Sequence, residues 1–250
     1  MSLLRVENVS KNFGSLVAVD KVSMTVQPGE LRAVIGPNGA GKTTFFNLIS
    51  GFLTQSSGKI TFDGEDISAL LPAPRVWRGI ARTFQITEVF PELTARENLR
   101  IAVEVASGYR ARLWQDKVED DAVKVRVAEL LGMGGLNDKA DRLVGELSHG
   151  DQRAIEIMMA LALRPRLLLL DEPTAGMGDQ ETYDITQLIR KLHKNQKLSI
   201  VLIEHDMRVV FHLADRIMVL AEGRMLAEGT PKEIGANEAV QAAYLGKAAA

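Results

Sequence analysis

Several features are scarce or absent in this 250-residue sequence, and each absence narrows what the protein can be. The chain has no cysteine, which excludes disulfides, thiolate metal sites and cysteine nucleophiles. No apolar run reaches the roughly 18 residues that a membrane-spanning helix needs, and no apolar signal-peptide stretch follows the first residues. We therefore expect a cytosolic protein, whose membrane role, if it has one, comes through a protein partner.

A large charge imbalance is also lacking. The 30 basic residues are spread among 32 acidic ones, which gives a net charge of -2. A nucleic-acid-binding protein usually shows a strong basic excess or stripe, so we expect no nucleic-acid partner. No Ser/Gly-rich or Pro-rich linker and no repeat of about 20 to 50 residues divides the chain, which predicts a single domain over residues 1–250.

Short apolar runs alternate with helical stretches, as they do in α/β proteins. The runs at residues 32–35, 167–170 and 200–203 have the continuous apolar character of buried parallel strands. Residues 4–9 and 22–26 instead alternate strictly between apolar and polar, which predicts half-exposed antiparallel strands. We expect an α/β core with a flanking antiparallel β layer.

The segment from about residue 86 to residue 163 is helical in pattern and rich in charge. Its longest amphipathic stretch is residues 116–131, and the glycines that follow should interrupt this helix. The sequence therefore predicts an inserted α-helical subdomain at about residues 86–163, within an α/β core formed by residues 1–85 and 164–250.

Residues 36–43 read Gly-Pro-Asn-Gly-Ala-Gly-Lys-Thr and match the phosphate-loop pattern G-x-x-x-x-G-K-[ST], between an apolar strand and a helix. Glycines let successive backbone N–H groups point at phosphate oxygens, and the helix N-terminus adds its dipole. Lys42 would supply a cation for the phosphates, and the Thr43 hydroxyl a ligand for Mg²⁺. The candidate nucleotide-binding residues of this loop are Asn38, Gly39, Ala40, Gly41, Lys42, Thr43 and Thr44.

Two adjacent acids, Asp171 and Glu172, end the apolar run at residues 167–170. The carboxyl edge of an open α/β sheet is where ligands bind. Alternation along the strand would send the side chains in opposite directions, Asp171 towards Mg²⁺ and Glu172 towards a water that it activates as general base. Alone, such a pair is more typical of a solvated sheet edge or a helix cap, but the upstream phosphate loop favours the catalytic interpretation.

A third segment, Leu-Ser-His-Gly-Asp-Gln-Arg at residues 147–153, precedes the acidic strand, and the three motifs together resemble those of the ATP-binding-cassette (ABC) ATPases. The resemblance implies a P-loop NTPase core of the RecA-like type that binds ATP and Mg²⁺ and hydrolyses ATP. Ser148 can cap the helix that runs to residue 163, leaving its first N–H groups and the Gly150 backbone free to bind an anion. In isolation, Ser148 would be typical of a well-capped helix and nothing more.

In the family this signature segment completes the nucleotide site of the opposing subunit, so the resemblance implies a head-to-tail dimer with ATP in both interfaces. Two segments depart from the family pattern. His149 and Asp151 replace the third and fifth residues of the usual Leu-Ser-Gly-Gly-Gln, and Gly178 stands where the family has Asp or Asn in its dimer-contact loop. The candidate residues for the opposing nucleotide are Ser148, His149, Gly150 and Asp151.

Single residues gain a role only from the resemblance. Gln85, after a strand predicted at residues 80–84, would bind Mg²⁺ and water and sense a membrane partner. His205, at the end of another strand, would contact the γ-phosphate and the catalytic water. Phe13 would stack on adenine, with Val19 lining the same pocket. Without the family these residues are typical of a loop glutamine, a structural histidine and a core aromatic.

Longer stretches resemble the ATPase subunits of bacterial branched-chain amino acid importers. They are residues 79–85, 89–94, 203–207, 228–231 and 243–246. The resemblance implies a second ATPase subunit, two membrane permeases and, indirectly, a periplasmic solute-binding protein as partners. It places the chain in the cytoplasm, peripheral on the cytoplasmic face of the inner membrane.

The permease partner would dock near residues 89–91 and the helical insertion, where exposed apolar side chains are expected. Related ATPases serve urea or aromatic-acid transport or lipopolysaccharide export, so the cargo stays open. The alternatives are a non-transport cassette ATPase of DNA repair, translation or assembly machinery, and a nucleotide-binding switch without turnover. A single cassette without a heptad run favours transport, and Glu172 favours turnover.

Overall fold

The structure, a computed structural model, describes residues 2–83, 89–108 and 117–245. The strands are β1 (Leu4–Phe13), β2 (Leu16–Val26), β3 (Leu31–Ile35), β4 (Ser57–Phe62), β5 (Glu65–Asp66), β6 (Ile80–Arg82), β7 (Leu167–Asp171), β8 (Ser199–Ile203), β9 (Arg216–Ala221) and β10 (Arg224–Gly229). The α-helices are α1 (Lys42–Ser50), α2 (Pro72–Trp77), α3 (Ala95–Ala106), α4 (Lys117–Gly134), α5 (His149–Ala162), α6 (Asp179–Gln196), α7 (Met207–Leu213), α8 (Pro231–Gly235) and α9 (Glu238–Leu245). Short 3₁₀ helices span Asn137–Lys139 and Val144–Glu146.

The chain divides into two compact units. The first consists of Met1–Arg82, Arg166–Glu172 and Ile189–Ala250, and the second of Thr83–Pro165 and Pro173–Leu188. The second unit contains most of the predicted helical insertion together with a stretch that follows the acidic strand. Whether the units make one ATPase domain stays a prediction.

An antiparallel sheet of order β2-β1-β4-β5 lies in the first unit. Leu4 of β1 pairs with Val26 of β2 on one side and with Phe62 of β4 on the other. The antiparallel β layer predicted from the alternating N-terminal residues is therefore confirmed. The sequence pattern did not indicate β4, because the first three residues of this strand are exposed and one of them is a glycine.

A second sheet of the first unit has the order β10-β9-β3-β8-β7-β6. β3, β7 and β8 are buried at every position, and β3 and β7 both run parallel to β8, as their continuous apolar runs predicted. β6 pairs with β7 in parallel and ends at Arg82, before the end predicted at residue 84, which lies outside the described residues. The carboxyl ends of these parallel strands meet at one sheet edge.

Helix α1, which follows the phosphate loop, is anchored in the core of the first unit. Phe45 and Phe46 are fully buried among side chains of both sheets, and each such aromatic contributes about 1.5–3 kcal/mol of burial free energy. At the other end of the helix, the buried Arg75 guanidinium donates to the carbonyls of Leu48 and Ile49, both at 2.7 Å. Burial lowers the pKa of Arg75 to about 10, and a cation at a helix C-terminus is favourable.

Helices α3, α4 and α5 pack on one another in the second unit. α4 continues through Gly132 to Gly134, so the predicted interruption is wrong at these two glycines and is confirmed at Gly135, where the helix has ended. A glycine inside a helix costs only about 1 kcal/mol, which packing offsets. Gly135, with φ +69°, then provides the left-handed turn that ends the helix. Across the described ranges, no helix is long and apolar enough to cross a membrane.

Candidate nucleotide site

The phosphate loop is packed so closely that it depends on glycine. A Cβ atom on Gly36 would lie 2.1 Å from the Leu220 carbonyl oxygen, and one on Gly41 (φ +95°) would lie 2.4 Å from that of Ala18. Among the described residues, no side chain caps the start of α1 at Lys42, so its first N–H groups suit an anion. Of the other loop residues, Asn38, Gly39 and Thr43 are exposed, Thr44 is half-buried and Ala40 is buried.

Lys42 is folded into this loop. Its Nζ donates to the carbonyl oxygens of Gly36 at 2.8 Å and Pro37 at 3.1 Å, and the residue is only 6% exposed. Burial lowers the pKa of Lys42, while the charges of Glu172 and Asp171 act in the opposite direction. The structure therefore brings the loop cation and both predicted acids into one electrostatic neighbourhood.

Asp171, the last residue of β7, is buried and held by an arginine that the sequence analysis missed. Its Oδ2 accepts from Arg82 Nη2 at 2.8 Å. The same guanidinium donates to Asn47 Oδ1 at 2.6 Å and Ser50 Oγ at 2.9 Å, and it lies over the Phe52 ring at 5.7 Å. The only sequence signal was a charged residue in a strand whose neighbours are apolar.

Glu172 lies just beyond the strand, in the left-handed region at φ +47°. The two acids contact different partners, Asp171 the Arg82 guanidinium and Glu172 the His205 imidazole, and their separate roles stay a prediction. A left-handed backbone is costly for a residue other than glycine, and such strain is concentrated at functional sites. The Glu172 N–H donates to the Ile203 carbonyl at 2.9 Å, which ties the turn to β8.

His205 meets Glu172 at this edge, with Nε2 2.5 Å from Oε1. The His205 side chain is 43% exposed and that of Glu172 15% exposed. A second missed residue, Glu204, fixes the turn, since its buried carboxylate accepts the N–H groups of His205 at 2.8 Å and Asp206 at 3.4 Å. The phosphate loop, both acids and the histidine thus belong to one unit and one sheet edge.

The oxygens at this edge fit a small hard cation. Asp171 offers a carboxylate that Arg82 holds in a fixed orientation, and Thr43 offers an exposed hydroxyl. Within the described ranges, no group of three or more acidic or histidine side chains could hold a metal ion. Gln85, the third predicted metal ligand, lies outside the described residues.

The structure separates the two residues predicted for the adenine pocket. Phe13, at the end of β1, is 47% exposed with Lys11 Nζ 5.2 Å from its ring centre. Val19 is fully buried in the core, which contradicts its predicted place in the pocket. Leu16, which pairs with Phe13, and Val17 are exposed apolar residues of the same hairpin.

The signature segment lies in the second unit, at the start of α5. Ser148 caps the helix as predicted, because its side chain accepts the Asp151 N–H at 3.2 Å. The Gly150 N–H, predicted to be free, donates instead to Glu181 Oε1 at 3.1 Å. The Asp151 carboxylate pairs with Lys139 at 2.7 Å. His149 and Ser148 are both exposed.

A family model described as ABC transporter matches residues 19–175, which hold the phosphate loop, the signature segment and the acidic pair. The chain belongs to this family. It is an ABC ATPase, a member of a family that binds and hydrolyses ATP. A second model, described as branched-chain amino acid ATP-binding cassette transporter, matches residues 224–250.

Curated relatives match nearly the whole cassette. The high-affinity branched-chain amino acid transport ATP-binding protein BraF of Pseudomonas aeruginosa is 40% identical, with 98% of each chain covered. The corresponding protein LivG of Escherichia coli (strain K12) is 39% identical over the same shares. The lipopolysaccharide export system ATP-binding protein LptB of Haemophilus influenzae is 36% identical, covering 99% of this chain and 98% of LptB.

Solved structures confirm the α/β cassette fold. A nucleotide-free ATP-binding cassette from an ABC transporter superposes with a TM-score of 0.85 at 32% identity, over 98% of this chain and 99% of that one. The ADP conformation of another such cassette gives 0.86 at 30% identity over the same shares. A dimeric post-hydrolysis cassette bound to ADP and Pi gives 0.76 at 26% identity, over 91% of this chain and 98% of that one.

Proposed function

We propose that this chain is the ATP-hydrolysing subunit of a bacterial importer of branched-chain amino acids or similar small polar solutes. The observation that carries the proposal is the 40% identity, along 98% of both chains, with a relative named for branched-chain amino acid transport. The family match at residues 224–250 supports the same branch. The phosphate loop and acids alone would suit any transport cassette.

The phosphate loop binds the nucleotide through its backbone and its lysine. The uncapped N–H groups at the start of α1 bind phosphate oxygens, and the dipole of the helix favours their charge. Lys42 exchanges the carbonyls of Gly36 and Pro37 for the phosphates, since Nζ already lies within the loop. Phe13 stacks on the adenine from the exposed end of its hairpin.

Asp171, Thr43 and Gln85 would hold a Mg²⁺ ion, which when bound neutralises charge on the phosphates. Arg82 keeps the Asp171 carboxylate in one orientation because it is itself anchored on Asn47 and Ser50. A buried carboxylate needs such a partner, since an unpaired charge of this kind is strongly destabilising.

Glu172 accepts the proton of the attacking water. Its carboxylate is only 15% exposed and is turned out of the strand by the left-handed backbone, so it faces the sheet edge where the phosphates bind. His205, whose Nε2 is 2.5 Å from Oε1, orients this carboxylate. Its imidazole contacts the γ-phosphate and the catalytic water. Glu204 keeps the histidine in place by binding its backbone N–H.

The signature segment acts on the nucleotide of a second subunit. In a head-to-tail dimer of two copies, or of this chain and a close relative, Ser148, His149, Gly150 and Asp151 face the phosphates that the other subunit's loop holds. Ser148 and the first turn of α5 supply a hydroxyl and backbone N–H donors for that purpose. ATP closes such a dimer, and hydrolysis lets it reopen.

Residues 89–91 form the permease-docking segment. Phe90 is 48% exposed, although its backbone is fixed by Asn98, whose side chain accepts the Phe90 N–H at 2.8 Å and donates to its carbonyl at 3.0 Å. A rigidly held, exposed aromatic suits a protein interface. The partners are two permeases at the cytoplasmic face of the inner membrane and, through them, a periplasmic solute-binding protein.

Lipopolysaccharide export is the second candidate function, because LptB of Haemophilus influenzae is 36% identical over 99% of this chain. Co-purification from detergent-solubilised membranes separates the two. The importer predicts permeases that, in vesicles with their binding protein, show ATP turnover stimulated by leucine, isoleucine or valine. Permeases that respond to lipopolysaccharide and to none of these amino acids would contradict it.

A further inference from the structure

Glu181, near the start of α6, joins two loops of the second unit. One carboxylate oxygen, Oε1, accepts the Gly150 N–H of the signature segment at 3.1 Å. The other, Oε2, accepts the Gly178 N–H at 3.4 Å. The same side chain therefore bridges the signature segment and the loop that holds the unusual glycine.

Helix capping explains only half of this arrangement. Gly178 immediately precedes α6, and a glutamate three residues later commonly accepts the N–H of the residue at that place. The bond to Gly150 contributes nothing to α6, because it satisfies a donor in the first turn of α5. An internal carboxylate thus occupies a position that suits an external anion.

The contact between Gly150 and Glu181 is close and favours an ionised carboxylate. A Cβ atom on Gly150 would lie 3.3 Å from both Cβ and Cγ of Glu181, so glycine allows the close approach. The Gly150 hydrogen bond lowers the pKa of Glu181, and Gly178, the Ser148 hydroxyl and the charge of His149 add to this effect. Glu181 is therefore ionised at neutral pH and surrounded by the donors of the signature segment.

We propose that Glu181 is an internal anion that occupies the signature segment of the single chain and must leave when the nucleotide of a second copy of this chain binds there. The inference rests on the proposed dimer. Glu181 and the γ-phosphate then compete for the Gly150 N–H, so the glutamate raises the ATP concentration that dimer closure requires.

The test measures ATP-driven dimerisation in the full chain with hydrolysis blocked by E172Q. Light scattering after size-exclusion chromatography gives the ATP concentration at half-maximal dimer for E172Q alone, with E181A and with E181Q. Removing a hydrogen bond to a charged acceptor that competes with the ligand should lower this concentration about tenfold in E181A, with E181Q in between.

The matched control is D184A, which removes a negative charge from the same helix at an exposed carboxylate that accepts from Gln180. It should leave the half-maximal concentration unchanged, and thermal unfolding shows whether each variant is folded. Backbone amide NMR shifts of Gly150 and Gly178 should move in E181Q and stay in D184A, which checks the contact in the single chain.

The outcomes separate the competing roles by sign. A purely supporting glutamate predicts that E181A needs more ATP to dimerise, and a mere cap predicts no change, so either result overturns the proposal. If E172Q binds ATP and stays monomeric, the homodimer that the proposed function and this inference both use is wrong. If E172Q dimerises and E181A does not shift the midpoint, only the role of Glu181 fails.

Discussion

The two regions of this chain that we propose bind phosphate are built in opposite ways. In the first unit, the groups around the phosphate loop are tied to buried strand ends, and a cation, Lys42, is held ready inside the loop. In the second unit, Ser148 and His149 of the signature segment are exposed. The Gly150 N–H of this segment already donates to an acid of the same chain, Glu181. We therefore propose that the first region binds its nucleotide within one chain, whereas the second is blocked until something displaces its own carboxylate.

The largest expected effect separates chemistry from binding in the first region. E172Q removes the proposed base while keeping the shape of the side chain, so phosphate release should fall by about 10²- to 10⁴-fold with ATP affinity retained. Turnover measured by phosphate release and affinity by equilibrium titration check this together. Undiminished turnover would show that another group activates the water.

The next largest effect is expected from a buried ion pair in the second unit, compared with an exposed pair in the same unit. Arg153 on α5 forms a buried pair with Glu156 at 2.5 Å and donates to the Pro173 carbonyl at 3.2 Å. R153M leaves the glutamate buried without this partner, which should cost about 3–5 kcal/mol in the free energy of unfolding. Denaturant unfolding measures the loss. R96A, which breaks the exposed pair with Asp141, is the control and should barely move the transition.

Removing the loop cation should weaken nucleotide binding itself. K42A deletes a charge-assisted contact to the phosphates, and we expect ATP affinity to fall by about 10- to 100-fold. The matched control is K59A, which removes an exposed lysine of β4 that is paired with Asp66. Equal affinity for both variants in a fluorescence titration would refute the assignment of the phosphate loop.

The smallest effect belongs to the signature region. S148A removes a helix cap, which should cost about 1 kcal/mol in the free energy of unfolding. It also removes the Ser148 hydroxyl, a hydrogen-bond donor that only the nucleotide of the second subunit uses. ATP affinity of the single chain should therefore stay unchanged, while steady-state turnover falls by about tenfold. A loss of single-chain affinity would contradict the division between the two regions.

The parts of the fold that depend on short-range pattern could be predicted from the sequence. Continuous apolar runs identified β3, β7 and β8, and Ser148 was identified as a cap because the residue type and the following helix suffice. The motifs also located Lys42, Asp171, Glu172 and His205 near one sheet edge. Each of these depends on residues close together in the chain.

What the sequence could not predict depends on contacts between distant segments or on backbone conformation. Arg82 is 89 positions from the acid that it holds, and Glu181 is 31 positions from Gly150. The positive φ of Glu172 is a backbone conformation that the strand pattern does not predict. Val19 was assigned to the adenine pocket through the family resemblance, which does not show that this side chain is fully buried in the core.

The most direct test of a shared nucleotide site mixes two impaired chains, K42A and S148A, at an ATP concentration that does not saturate K42A. Random pairing gives half mixed dimers, and each has one site in which an intact phosphate loop faces an intact signature segment, so the mixture should regain about a quarter of wild-type turnover. Phosphate release from the mixture, compared with each variant alone, measures this. Turnover no greater than the average of the separate variants would contradict a site built from two subunits.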